Sequence, residues 1–174
     1  MNLRQNLSVA LMAAALCVMA PVAVPVGPIP VTLATLGVYL AAALLGPWRG
    51  AATVGLYLLL GGIGLPVFAG FSGGFAHLFG TTGGFLWGYI PCVVVAGLLC
   101  RIGRQKMTPV WLACGMVVLY AVGGGWFAWQ THTAVGAALL TVVLPGLSVE
   151  WIKIAAVTAL IVPLRKMTAV GMRE

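Results

Sequence analysis

The stretch Gly83-Gly-Phe-Leu-Trp-Gly-Tyr-Ile-Pro-Cys-Val-Val-Val-Ala-Gly-Leu-Leu-Cys100 contains no charged residue, and Arg101 follows it at once. A helix needs about 20 residues to cross the roughly 30 Å hydrocarbon core of a bilayer. The run therefore predicts a membrane-spanning helix that ends where the charged residue reaches water.

The rest of the chain has the same character. Of its 174 residues, 62% are hydrophobic and 6% are charged, and the mean hydropathy is +1.13. Soluble domains carry about 25% charged residues, so these few cannot cover a water-facing surface. The composition predicts an all-α integral membrane protein in which residues 1–174 form a single domain.

Proline, glycine and charge divide the chain into six apolar runs. The predicted spans cover about residues 7–24, 31–45, 50–65, 83–100, 109–129 and 149–164. Gly46-Pro47-Trp48-Arg49 is expected to turn the chain between the second and third spans. Pro145-Gly146 is expected to end a shorter apolar piece, 134–144, before the last span begins. The first run imitates a secretory signal cut after Ala20, but we expect it to stay as a span because the following chain is itself membranous.

The basic residues indicate the orientation, because Lys and Arg accumulate in the short cytoplasmic loops of membrane proteins. When the six spans are threaded alternately with the N-terminus inside, eight of the nine Lys and Arg residues fall on one face: Arg4, Arg49, Arg101, Arg104, Lys106, Arg165, Lys166 and Arg173. We therefore expect both termini to be cytoplasmic. This arrangement explains the net charge of +7 without a role for nucleic acid.

Glu150 and Lys153 stand apart from the other charges. Glu150 is the only acid before the C-terminal residue, and Lys153 is the only base off the predicted cytoplasmic face. Residues at i and i+3 on a helix project to the same side. An ionisable residue at membrane depth costs several kcal/mol unless it is paired or faces water. Two interpretations stay open: a salt bridge that holds the helix end, or the polar part of a ligand pocket near the outer face.

The uncharged connection 66–82 favours the pocket, because aromatic residues recur there among glycines and could supply apolar walls. An interfacial re-entrant loop is the alternative. On the first span, Ala10 and Ala14 have the small-x-x-x-small spacing of close helix contacts, either within the bundle or with a second protein.

The sequence contains no His-Glu-x-x-His motif of metalloproteases and no P-loop for ATP binding. We therefore expect no enzyme, no bound metal and no cofactor. The remaining classes are a subunit that binds a small ligand and a membrane scaffold without one.

The sequence resembles the BioY family, the biotin-specific substrate-binding (S) subunits of energy-coupling-factor vitamin transporters. Five stretches carry the resemblance: Gly27-Pro-Ile-Pro-Val-Thr-Leu-Ala-Thr35, Leu45-Gly-Pro-Trp-Arg-Gly50, Tyr57-Leu-Leu-Leu-Gly-Gly-Ile-Gly-Leu-Pro-Val-Phe-Ala-Gly70, Gly80-Thr-Thr-Gly-Gly-Phe-Leu-Trp-Gly88 and Leu144-Pro-Gly-Leu-Ser-Val-Glu-Trp-Ile-Lys153. The family usually has Asp at the position of Glu150 and Gln at that of Ala34.

The resemblance implies a six-helix subunit of the bacterial cytoplasmic membrane that binds biotin from outside. Its implied partners are a transmembrane coupling protein and ABC-type ATPases, with biotin as the transported ligand and not a cofactor. The residues implied to bind biotin are Thr32, Gly70, Phe71, Gly83, Gly84, Phe85, Tyr89, Glu150 and Lys153. Ala10 and Ala14 are implied to contact the coupling protein. A subunit for another small vitamin remains the nearest alternative.

Overall fold

The computed structural model describes residues 3–24, 30–103 and 107–170. Within these residues, six helices follow one another: α1 (Leu3–Met19), α2 (Ala34–Gly62), α3 (Phe75–Phe79), α4 (Gly83–Ile102), α5 (Thr108–Thr131) and α6 (Val135–Val170). Strands β1 (Ala23–Val24) and β2 (Val31–Thr32) pair antiparallel between α1 and α2. A short 3-10 turn, Ala69–Phe71, precedes α3. The protein is an all-α membrane protein, as the composition predicts.

Helix α2 contains two antiparallel arms and not one straight rod. Gly46 has φ 77° and ψ −171°, a conformation that is accessible to glycine and outside the helical region. A Cβ built on Gly50 would lie 3.3 Å from the carbonyl oxygen of Ala41, although nine residues of straight helix span about 13.5 Å. The chain therefore turns back at Gly46-Pro47, which confirms the predicted turn between the second and third spans.

The membrane-crossing segments are thus α1, the two arms of α2, α4, α5 and α6. Among the described residues, α2, α4 and α5 are each long and apolar enough to cross a membrane, and α1 is a shorter apolar helix. Helix α2 packs against α1, α4 and α6, while α5 packs between α4 and α6. One continuous core of mainly aliphatic side chains runs through the bundle, with Leu16, Val38, Val93, Leu112 and Val157 at its centre.

Two predicted boundaries are wrong. The first span does not reach residue 24, because α1 ends at Met19 and Ala23–Val24 form β1. The second wrong boundary lies in α6. The backbone of α6 is helical from Val135 to Val170, so the helix continues through Pro145-Gly146. Proline removes one backbone hydrogen bond and bends a helix, but membrane helices tolerate this because neighbouring groups satisfy the freed carbonyl. As a consequence, Glu150 and Lys153 lie well inside α6 and not at the start of a helix, where the predicted last span, 149–164, places them.

Glycine allows the closest helix contacts in this bundle. Gly97 of α4 lies against the α2 turn, where an added Cβ would come within 2.7 Å of the Pro47 nitrogen and 2.8 Å of the Gly46 carbonyl carbon. Gly88, on the same helix, lies against Leu119 of α5. Small residues at these positions let the backbones approach each other, as is common between membrane helices.

We expect Gly97→Ala to destabilise the protein, because the new methyl group would meet backbone atoms that cannot move without shifting the turn. Overpacking of this kind costs about 1–3 kcal/mol. Gly55→Ala is the matched control, since nothing lies within 4 Å of a Cβ at Gly55 and alanine is a better helix former by about 1 kcal/mol. Thermal unfolding in detergent should show a lower midpoint for Gly97→Ala alone. Equal midpoints for both variants would contradict this packing.

Candidate functional site

A cavity of about 280 Å³ lies at one end of the bundle. It is enclosed by the C-terminal end of α1, the start of α2, the start of α4 and the middle parts of α5 and α6, with the 66–82 connection over it. Its wall is mostly apolar, and the residues that line it include Ala20, Val31, Phe68, Phe85, Leu86, Leu119 and Tyr120. Small-molecule sites typically combine such apolar walls with a few polar groups.

Glu150 supplies the one carboxylate that the described residues place on the cavity wall, and its side chain is almost completely buried. Oε1 accepts hydrogen bonds from Thr35 Oγ1 at 2.9 Å and from Lys153 Nζ at 2.7 Å. Oε2 accepts one from the Tyr39 hydroxyl at 2.8 Å. A buried carboxylate is stable only with such partners, so these contacts hold its charge at the cavity.

Lys153 lies behind Glu150, outside the cavity wall, and is 4% exposed. Its ammonium group donates to Glu150 Oε1, to Thr35 Oγ1 and to the carbonyl oxygen of Thr32, each at 2.7 Å. An ammonium group has three hydrogen-bond donors. Because all three have acceptors in the protein, the lysine fixes the carboxylate and the start of α2, and the cavity receives an anionic acceptor.

The i, i+3 spacing of Glu150 and Lys153 therefore produces the predicted contact on one side of α6. The pair is a salt bridge, and its carboxylate also lies on a cavity, so its role in a ligand pocket stays a prediction. Oε2 accepts only one protein hydrogen bond among the described residues, and a carboxylate oxygen can accept two. One acceptor position thus remains for a donor group of a ligand.

Four of the nine predicted ligand-binding residues line the cavity: Thr32, Phe85, Tyr89 and Glu150. Gly70 and Phe71 belong to the 3-10 turn beside the cavity, and the Phe71 side chain is 71% exposed. Gly83 and Gly84 begin α4 and lie close against Leu78 and Trp126, respectively. Contact between ligand and any of the nine residues stays a prediction.

The sequence-based prediction missed Thr35 and Tyr39, which hold Glu150, and Tyr57 and Tyr120, which line the cavity. Thr35 and Tyr39 are four residues apart on the first arm of α2, so they project from the same face. Hydroxyl groups one helical turn apart within an apolar span were the signal that could have found the first two.

The 66–82 connection covers the cavity as the pocket interpretation predicts, since five of its residues line the wall: Phe68, Ala69, Ser72, His77 and Thr82. The backbone N–H of Gly70 donates to the carbonyl oxygen of Pro21 at 3.0 Å. This hydrogen bond joins the connection to the end of α1, next to the β1–β2 hairpin.

Comparison with known proteins identifies relatives for nearly the whole chain. A probable biotin transporter BioY of Pyrococcus horikoshii is 38% identical over 154 residues, which cover 88% of this chain and 90% of the relative. Biotin transporter BioY2 of Lactococcus lactis subsp. cremoris is 38% identical, with 86% and 84% covered. Biotin transporter BioY of Thermotoga maritima is 40% identical, with 70% and 72% covered.

The fold matches a solved structure described as the S-component for biotin from an ECF-type ABC transporter. The TM-score is 0.83 at 24% identity, and the match covers 95% of each chain. The sequence model of the BioY family matches residues 1–170. The chain therefore belongs to the BioY family.

Proposed function

We propose that this protein is the biotin-binding subunit of a vitamin uptake transporter. The observation that carries the proposal is the buried Glu150 carboxylate on the wall of a small, mostly apolar cavity, where Oε2 accepts one hydrogen bond from the described residues and can accept another. The names of its relatives support biotin as that ligand.

Biotin suits the chemistry of this cavity. Its cyclic urea offers N–H donors to Glu150, and its fused rings can pack against apolar residues such as Phe68 and Leu86. The cavity volume is close to the lower end, about 300 Å³, of typical small-molecule sites. In this proposal the urea lies at Glu150, while Lys153 acts by holding the carboxylate and does not itself contact the ligand.

The proposed partners are a transmembrane coupling protein and its ABC ATPases, in the cytoplasmic membrane of a bacterium with both termini inside. Ala10 and Ala14 are exposed on α1, whereas Ala13 and Leu16 face the core. An exposed pair of small residues on an apolar helix lets a second helix approach closely. These features support α1 as the surface that contacts the coupling protein.

We expect Ala14→Trp to reduce biotin uptake by cells about tenfold, the effect of about 1.4 kcal/mol of lost association free energy. Biotin affinity of the purified variant should be unchanged, because Ala14 is exposed on α1 and does not line the cavity. Leu59→Trp is the control, since Leu59 is also an exposed apolar residue and lies on α2. Normal uptake by the Ala14 variant would exclude this surface.

A thermal-shift screen tests the proposed substrate. The purified protein is unfolded in detergent with biotin, riboflavin, thiamine or pantothenate, each at the same concentration. A ligand that binds only the folded state raises the unfolding midpoint. We expect only biotin to raise the unfolding midpoint. If another vitamin raises it instead, that vitamin is the substrate. If none of the four raises it, the result favours a membrane scaffold without a small ligand.

A further inference from the structure

His77 is the only cavity-lining residue, among the described parts of the chain, that is a histidine, lysine or arginine. It lies in α3, and its ring packs at an angle against that of Phe68, with 6.3 Å between centroids. Phe68 also lines the cavity. The imidazole therefore belongs to the 66–82 connection that covers the cavity.

The backbone after His77 is fixed by three side chains from α4 and α5. The carbonyl oxygens of residues 78, 79 and 80 accept hydrogen bonds from Trp87 Nε1 at 3.1 Å, Gln130 Nε2 at 3.1 Å and Trp126 Nε1 at 3.0 Å, respectively. These bonds tie the end of α3 to the bundle. His77 is thus held in place before any ligand arrives, which lowers the entropic cost of binding.

His77 and Glu150 differ in their depth within the cavity. Glu150 is 3% exposed and lies against α2, whereas His77 is exposed on the covering segment. Lys153, the cation bonded to Glu150, has its three donors occupied by protein acceptors. An anionic group of a ligand would be repelled by the deep carboxylate, so its favourable position is at the exposed end.

We propose that His77 binds the carboxylate of the ligand and selects for a substrate with an anionic tail. The inference rests on the proposed function, because it places the urea of biotin at Glu150 and directs the valerate chain toward the cover. The imidazole donates an N–H hydrogen bond to the carboxylate and, when protonated, pairs with its charge. His77 acts together with Glu150, whose carboxylate accepts a hydrogen bond from the urea N–H at the other end of the same molecule.

The test compares biotin with biotinamide, whose tail is uncharged, by calorimetric titration of the purified full-length protein. Exposed ion pairs contribute up to about 1 kcal/mol, so wild type should prefer biotin about fivefold. His77→Asn should lose most of that preference by binding biotin more weakly, with biotinamide little changed. His77→Lys, which keeps a positive charge, should retain it.

His132→Asn is the matched control. His132 is the other histidine of the chain, and it ends α5 outside the cavity wall. This variant should behave as wild type. The proposal would be overturned if wild type bound biotin and biotinamide with equal affinity. It would also be overturned if His77→Asn lowered the affinity for both ligands by the same factor. If neither ligand binds wild type, the proposed function fails as well; if biotin binds without regard to His77, the proposed function survives alone.

Discussion

Glu150→Gln should bind biotin about 30 to 1,000 times more weakly than wild type, as measured by calorimetric titration in detergent. The charge-assisted hydrogen bond from the urea N–H to the carboxylate is lost, and a buried donor is left opposite another donor. Together these effects cost about 2–4 kcal/mol. The change is nearly isosteric, so the size of the cavity is preserved.

The physical reason lies in how the carboxylate is bonded. Oε1 is occupied by Thr35 and Lys153, which fixes the amide oxygen of a glutamine at that position. The amide nitrogen would then replace Oε2 beside Tyr39. This nitrogen donates and cannot accept, so it has no favourable contact with a urea N–H.

Glu150→Asp is the control, because it retains the charge while its oxygens lie one methylene group closer to α6. We expect its affinity for biotin to be intermediate. An affinity of Glu150→Gln within threefold of wild type would show that the carboxylate does not contact the ligand.

Lys153→Met should lower the unfolding midpoint by about 10 °C. The substitution leaves Glu150 buried without a cation, and the loss of one partner of a buried ion pair costs about 3–5 kcal/mol. The Thr32 carbonyl oxygen also loses its lysine donor. Unfolding monitored by intrinsic tryptophan fluorescence in detergent measures the effect.

The double variant Glu150→Gln/Lys153→Met separates stability from binding. Both charges are removed, so much of the lost stability should return, because neutral groups avoid the penalty of a buried unpaired ion. Biotin binding should not return. A double variant that is stable and binds biotin as wild type does would reduce the pair to a structural salt bridge.

The fold could be predicted because its main signals are local. Long uncharged runs, such as 83–100, identify membrane spans by length alone, and Gly46-Pro47 marks a turn by its backbone preferences. The i, i+3 contact of Glu150 and Lys153 is likewise a property of one helix. Each of these predictions is confirmed by the structure.

The site contacts that the sequence did not predict depend on residues that are far apart along the chain. Thr35 and Tyr39 bond to Glu150 across more than 100 residues of sequence, and their own i, i+4 spacing does not show that Glu150 is their partner. At Pro145-Gly146 a local signal misled the prediction. Proline and glycine predict a break in the helix, but α6 continues through them because a packed membrane helix tolerates both residues. Which residues contact a ligand, and on which side the termini lie, stay predictions.

One measurement tests the central claim most directly: calorimetric titration of biotin into the purified wild-type protein in detergent, without any coupling protein. The proposed site predicts saturable binding of one biotin per chain. No saturable heat, or biotin binding that is equally strong in Glu150→Gln, would contradict the assignment of Glu150 as the polar anchor of a biotin site.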